Sequence, residues 1–437
     1  MARRRQHAPL SVCLNNRLLG HLLKEPGGAT NFRYDENWLA WDNAIPVSLS
    51  LPLREDVYRG APVTAVFENL LPDSEMLRRQ IAERMGAEGS DAYSLLTAIG
   101  RDCIGALQFV PEGEELAASH GAIDGDPLDD EEIERLLTGL ARAPLGLARD
   151  DDFRISLAGA QEKTALLRDR GQWLRPHGTT PTTHIFKPSI GKLPNGIDLS
   201  DSVENEYYCL KLFAAFGLPV ADASVETFGK TKALVVTRFD RLWARDGRLL
   251  RLPQEDCCQA LSIPPSRKYQ SEGGPDLVQI LELLKASDTP EEDRKTILKA
   301  QMLFWLIGAS DGHAKNFSIS LRPGGSFALT PLYDILTVQP SYDAHQMNRS
   351  QMKLAMSVGN NNHYRMDGVR SRHFFQTGKA AGLSKSAIGN IITEITTTAA
   401  DAMRKLAEGL PPHFPENIHA SVSKALTERL RLLTKEE

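Results

Sequence analysis

Ile307–Ser318 reads IGASDGHAKNFS, a polar knot between an apolar helical run and an alternating, strand-like one. Charged and amide groups crowded between two apolar elements cost stability unless they are exposed, paired or holding something. Asp311 and Asn316 stand five residues apart. In the kinase catalytic loop H-R-D-x-x-x-x-N the same separation presents a base to the acceptor hydroxyl and an amide oxygen to magnesium. The following FSISLRPGGSFALTPLYD predicts a hairpin turning at Pro-Gly-Gly, and LYDI sets Asp334 at its exit. A kinase keeps its second, metal-binding Asp at that point. Asn316 and Asp334 are hard oxygen donors of the kind a divalent ion requires. The same residues also fit a polar loop satisfied by its own turn and hairpin hydrogen bonds.

Working outward, the 437 residues predict two or three domains with a sizeable core, and 41% apolar and 24% charged residues exclude a disordered chain or a fibre. A net charge of -5 argues against strong nonspecific nucleic-acid binding by the chain alone, though not against a local basic patch. Cys13, Cys103, Cys209, Cys257 and Cys258 form no C-x-x-C pair and read as reduced thiols of a cytoplasmic protein. The basic start MARRRQHAPLSVCLNN has no continuous apolar stretch, so no secretory signal is expected. No run approaches the length of a membrane span. The histidines lack zinc-site spacing.

Along the chain, LSVCLNNRLLGHLL predicts two strands about an Asn-Asn turn, and PVSLSLPL (46–53) another strand. LLPDSEMLRRQIAERMG predicts a helix capped by Asp73 or Ser74 and ended by Gly86. Pro111 to Asp126 reads as a surface loop, and PLDDEEIERLLTGLA as a helix with an acidic first turn. RDDDF breaks the pattern and places a domain boundary near Asp150. Beyond it, strands surround the small-residue turn AGAQEKT, SVENEYYCLKLFAAFG is a helix, and ASVETFGKTKALVVTRFDR is a hairpin turning at Gly229. From about Asp276 the chain reads as mostly helical. A β-rich half before a helical half is α+β organisation.

A kinase needs further parts upstream. Lys187, in HIFKPS, is placed to pair the α- and β-phosphates, and Glu206, in the next helix, to hold that lysine. AGAQEKT (158–164) is rich in small residues and suits backbone N–H groups facing phosphate. Each has a plainer reading: a snorkelling lysine, an exposed helix charge, an ordinary turn. Gly229-Lys230-Thr231 mimics the end of a Walker A loop, but Ser224 stands where its first Gly belongs, and the segment is a hairpin turn.

DDFRISLAGAQEKTALL, PTTHIFKPSIG, DLSDSVENEYYCLKL, RLPQEDCCQAL, WLIGASDGHAKNFS and LTPLYDI together resemble the HipA family of bacterial toxin kinases. ENLLPDSEMLRRQI, IGRDCIGALQFVPE and HFPENIHASV fit as well, so the likeness runs from about residue 10 to about 430. The resemblance implies an α+β, two-domain kinase-like fold similar to phosphoinositide-type kinases. A β-containing N-terminal domain (1–150) would precede a mainly helical kinase domain (151–437). It implies a serine/threonine protein kinase, toxin of a type II toxin–antitoxin pair, using ATP and Mg2+. The implied partner is a HipB-like helix-turn-helix antitoxin dimer, with operator DNA bound through that complex. The implied protein substrate is glutamyl-tRNA synthetase, whose phosphorylation stalls translation and promotes persistence.

Carried over by motif, Asp311 matches the catalytic base. His313, Ala314, Lys315 and Asn316 match residues lining nucleotide and metal, and Tyr333 with Asp334 the second metal contact. Lys187 matches the ATP lysine, and Ala158, Gly159, Ala160, Gln161, Glu162 and Lys163 the phosphate loop. Thr237, Arg238 and Phe239 match the segment that meets adenine, with Thr237 in place of an acidic residue. Ser156 matches the autophosphorylated serine. Departures from the family pattern fall at Pro340–Gln351 and Asn360–Arg370, and the family touches operator DNA near the second; Arg370 and Arg372 are the candidates there, against a plain reading as solvated arginines. Two other function classes stay open: a catalytically silent corepressor that only tightens an antitoxin on DNA, and a small-molecule or lipid phosphotransferase.

Overall fold

Asn15 and Asn16 turn the chain with positive φ at both positions, 47° and 65°. That is the two-residue hairpin turn whose twist matches its strands. The computed structural model describes residues 7–114, 123–149 and 152–435. The turn joins strands Leu10–Leu14 and Arg17–Lys24 of a five-stranded antiparallel sheet, which Thr30–Tyr34, Tyr58–Arg59 and Leu107–Pro111 complete. Phe32, Trp38, Phe67 and Phe109 fill its core. Ser74 caps the helix Glu75–Met85 by accepting from Leu77 N–H, and Gly86 ends it at φ 67°. Asp129 and Glu132 form a capping box on the helix Asp130–Gly139.

Two expectations are corrected. Residues 46–53 form no strand, only an isolated bridge between Ser48 and Leu51. Pro46 and Pro52 lack the N–H a ladder needs. Ser50 N–H bonds the Ser48 hydroxyl and Leu49 N–H the Glu255 carboxylate, which makes the segment a turn. The loop expected to run to Asp126 ends sooner, because Gly125–Leu128 pairs as a strand with Gln172–Pro176. The middle of that loop and the boundary expected at Asp150 lie outside the described residues.

A second, six-stranded sheet runs in the order Ala223–Phe228, Thr231–Thr237, His184–Pro188, Thr164–Asp169, Gln172–Pro176, Gly125–Leu128. Its neighbours are antiparallel wherever they pair. Gly229 makes the hairpin turn at φ 58°, and a Cβ there would lie 2.1 Å from Glu134. Glu134 also accepts from Lys230 N–H, so the Walker A mimic is a braced turn.

By compactness the chain divides into two units, each of several segments. One holds Met1–Pro188, Glu226–Ser266 and Ile319–Ser326; the other holds Ser189–Val225, Arg267–Ser318 and Phe327–Glu437. The second unit is mostly helical: Ser202–Ala215, Leu277–Leu283, Pro290–Ile307, Ser371–Ala380, Lys385–Gly409 and Glu416–Leu433. A hairpin-like pair of strands, Lys353–Val358 and His363–Arg365, interrupts it. The helix Pro290–Ile307 is buried along its last turns. Among the described residues no helix is long and apolar enough to cross a membrane, and the five cysteines are buried and unbridged.

Candidate active site

Helix Pro290–Ile307 ends at Gly308, φ 74°, and its last carbonyls need partners. Thr337 Oγ1 donates to Ile307 O (2.5 Å), Arg429 Nη1 to Leu306 O (3.1 Å) and Val338 N–H to Gly308 O (3.0 Å). The polar loop that follows therefore starts from a fixed point. Gly312 packs closely against Phe304: a Cβ there would lie 3.0 Å from the ring, which would have to shift.

Within the loop the expectation of a local hydrogen-bonded turn is met. His313 N–H and Asn316 Nδ2 both donate to Asp311 O, at 2.9 and 2.8 Å. Asn316 Nδ2 also points to Asp334 O at 3.5 Å. Its amide hydrogens are thus turned inward, and Asn316 Oδ1 accepts no hydrogen bond among the described residues. His313, Ala314, Lys315 and Asn316 are buried, whereas the Asp311 side chain is 55% exposed. One carboxylate is left at the surface of an otherwise sequestered loop.

Strands Ser318–Leu321 and Phe327–Leu329 flank the expected Pro323–Gly325 turn. Thr330 N–H donates to Ser318 O at 2.9 Å. Tyr333 Oη donates to Lys315 O (3.1 Å) and accepts from the Ser318 hydroxyl (2.6 Å). Asp334 follows at φ 58°, a left-handed conformation that costs most residues about 1 kcal/mol and that Asp tolerates better than most. Tyr333 is thereby a clamp on the loop through its hydroxyl, and Asp334 sits beside the Asn316 amide.

The other candidates lie in the first unit. Strand Ile155–Ser156 pairs in parallel with Asp102–Cys103. The loop that leaves it is closed by Lys163 Nζ, which donates to Ala158 O at 2.7 Å. Gly159 stands at φ 100°, and a Cβ there would lie 2.6 Å from Lys163 Nζ. Only glycine fits. Asp73 N–H donates to Gly159 O, and Gln161 Nε2 to Pro188 O, while Ala160 and Glu162 are exposed. Lys187 is 7% exposed on the central strand His184–Pro188, between Thr231–Thr237 and Thr164–Asp169. Glu206, the residue expected to hold it, is buried on the helix Ser202–Ala215 of the second unit.

Thr237 is exposed at the end of its strand, but Arg238 beside it is committed elsewhere. Its guanidinium bonds both Asp240 oxygens, Asp102, Thr182 and Cys103 O. Arg241 and Arg251 converge on the same Asp102 at 2.8 Å. Of the segment expected to meet adenine, the Arg238 side chain is therefore structural, and its backbone is engaged as well: Arg238 N–H donates to Thr183 O at 2.9 Å and Arg238 O accepts from Arg241 N–H at 3.3 Å. Burial alone would raise the Asp102 carboxyl, but Arg241, Arg251 and Arg238 outweigh it and hold the group far below the carboxylate range. Burial, then Arg238, pushes Arg241 down to about 10. The sequence reading missed this cluster because charged residues of distant segments carry no periodic signal.

Arg370 Nη1 donates to Asp367 O and Val369 O, so it caps a turn; Arg372 is exposed one residue into the helix Ser371–Ala380. A residue the sequence reading also missed is Tyr269, whose hydroxyl reaches Asp311.

Known proteins match both parts of the chain. The model of the HipA-like C-terminal domain matches residues 155–403, and that of the HipA N-terminal domain residues 10–110. A putative kinase Y4mE of Sinorhizobium fredii is 35% identical over 403 residues, covering 91% of this chain and 92% of that protein. The serine/threonine-protein kinase toxin HipA of Shewanella oneidensis is 27% identical over 416 residues, covering 92% and 90%. A solved Shewanella oneidensis complex of HipA, HipB and operator DNA contains a chain of the same fold, at TM-score 0.79 and 24% identity over 98% of this chain and all of that one. With both domain models matched and a relative 35% identical over nearly the whole length, the chain is a member of the HipA family.

Proposed function

We propose that this chain is an ATP-dependent serine/threonine protein kinase and the toxin of a toxin–antitoxin pair. The observation that carries the reading is the loop Asp311–Asn316: one exposed carboxylate, with the Asn316 amide turned back onto Asp311 O and Asp334 O. Asp311 accepts the proton of the acceptor hydroxyl as its oxygen attacks the γ-phosphorus; the bond to ADP breaks and ADP leaves. Lys187 pairs the α- and β-phosphates. Residues 158–163 offer backbone N–H groups, and the segment Thr237–Phe239 lies against adenine. The residues present fit a magnesium ion: Asn316 Oδ1 is turned away from its own amide's partners, and Asp334 adds a carboxylate. Two protein oxygens suit an ion that keeps water and phosphate ligands. When bound, magnesium neutralises phosphate charge.

The finer reading follows the family. The acceptor is glutamyl-tRNA synthetase, Ser156 is the self-acceptor, and a HipB-like helix-turn-helix dimer carries the chain to operator DNA in the cytoplasm. The fold shared with a HipA solved beside HipB and operator DNA supports the partner. Radiolabelled ATP added with this chain to a cell lysate tests the reading, and a labelled protein that Asp311→Ala abolishes is the expected result. A labelled small molecule instead would make the chain a small-molecule or lipid phosphotransferase, and no label a silent corepressor.

A further inference from the structure

The second unit contains a cleft of about 890 Å³ lined by Tyr269, Ser310, Asp311, Lys353, Tyr364 and Arg365. Asp311 is its one residue from the catalytic loop's Asp–Asn pair, so an acceptor hydroxyl that meets Asp311 comes through this cleft. The Tyr269 hydroxyl donates to Asp311 Oδ1 at 2.5 Å, the O···O separation of a hydrogen bond from a hydroxyl to a carboxylate. Asp311's other oxygen accepts no hydrogen bond among the described residues.

Tyr269 is itself held in place. Its ring meets His313 edge-on, with centroids 4.8 Å apart at 83°. Its carbonyl accepts from Glu272 and Gly274 N–H, at 3.0 and 2.9 Å. Gly274 is packed so closely that a Cβ would lie 2.0 Å from Arg267 O. The next residue, Gln270, accepts from Ser357 N–H at 2.7 Å, and Ser357 belongs to the strand Lys353–Val358 that also walls the cleft. The hydroxyl is therefore delivered by a braced loop, not by a wandering side chain. A carboxylate bound through one oxygen to a braced donor has its rotation restricted and its second oxygen aimed.

We propose that Tyr269 is a positioning residue: it pins Asp311 Oδ1 so that the second carboxylate oxygen faces the acceptor polypeptide in the cleft. The proposal rests on the kinase reading above. A base displaced by an ångström loses up to about 100-fold in rate, whereas nucleotide binding does not pass through this hydrogen bond.

The experiment compares wild type, Tyr269→Phe and Asp311→Ala, each full length, with [γ-32P]ATP and lysate protein as acceptor. Initial labelling rate is followed against ATP concentration, and ATP affinity is measured separately by calorimetry. Tyr269→Phe should lower the maximal rate about 10- to 100-fold, with the KM and affinity for ATP and the melting temperature unchanged. An equal rate overturns the proposal, and so does a faster one, which would make the hydroxyl a plug on the base. Loss of ATP affinity in step with rate overturns it too, since the residue would then serve the nucleotide. If Asp311→Ala labels as fast as wild type, or if wild type labels nothing, the kinase reading fails and the role of Tyr269 falls with it. If Tyr269→Phe alone labels normally, the kinase reading stands.

Discussion

The Ser156 hydroxyl donates to Leu70 O at 2.8 Å from a position with no solvent exposure. A phosphate carries roughly -1.5 to -2 charges at neutral pH, and no such group fits where this hydroxyl lies. Phosphorylation at Ser156 therefore demands that the strand Ile155–Ser156 leave its partner Asp102–Cys103. On prolonged incubation with Mg-ATP, mass spectrometry should find phosphate on Ser156, and limited proteolysis should show cleavage near residues 155–163 rising in parallel. Phosphate on Ser156 without new cleavage would show that the strand need not move.

On the proposed reading, Asp334 has two separable duties, one from its left-handed backbone and one from its carboxylate. Asn tolerates the left-handed conformation much as Asp does, whereas Ala does not. Asp334→Asn should melt close to wild type yet lose at least about tenfold in affinity for Mg-ATP. Asp334→Ala should show the same binding loss and a further cost of about 1 kcal/mol in stability. With EDTA present, calorimetry should bring wild type down to the variants. A tenfold gap that persists in EDTA would remove the metal from the explanation.

Glu255 is buried with its carboxyl pushed up to about 8, by burial first. The unfolded chain releases this proton near the ordinary glutamate value while the folded chain holds it. Stability thus falls as pH rises from about 4.5 to about 8, by about 1.4 kcal/mol per unit at most from this group. Glu255→Gln keeps the shape and removes the titration. Its stability relative to wild type should improve steadily between pH 5 and pH 8 in denaturant melts. A difference independent of pH would show that Glu255 is not the titrating group.

Arg370 spends its guanidinium on two turn carbonyls, which leaves Arg372 as the arginine of the pair with an exposed side chain. In mobility shifts with a HipB-like antitoxin and operator DNA, Arg372→Ala should weaken binding alike across sequences. It should flatten the salt dependence by about one unit, because a phosphate contact positions without specifying. Arg370→Ala should instead lower the melting temperature. An unchanged salt slope in Arg372→Ala would take that residue off the DNA.

What could be read from sequence was local. Asn15-Asn16, Ser74 with Gly86, and Gly229 each state a turn or cap in their own chemistry, and each forms as expected. The knot Asp311–Asn316 was legible because its spacing is part of its geometry. Residues 46–53 misled because alternation looks the same in a strand and in a turn with prolines. The pair Lys353–Val358 and His363–Arg365 was missed because its register breaks between Lys353 and Val358. Tyr269 had no signal at all: it lies 42 residues from Asp311, and only the fold brings the two together.

The ionic cluster around Asp102 has a consequence for how this unit opens. Arg238, Arg241 and Arg251 set three positive charges against Asp102 and Asp240, all with side chains at most 4% exposed. Asp102, Thr182, the 238–241 segment and Arg251 come from four separate stretches of chain, and withdrawing Asp102 or the 238–241 segment leaves charges stranded in a dry interior, at a cost of several kcal/mol. Thr182 and Arg251 are tied to the same carboxylate. Amide hydrogens near all four should exchange with solvent at one common rate, through a single concerted opening, while the exposed tip around Gly247, held only by its own turn bonds, opens locally and exchanges faster.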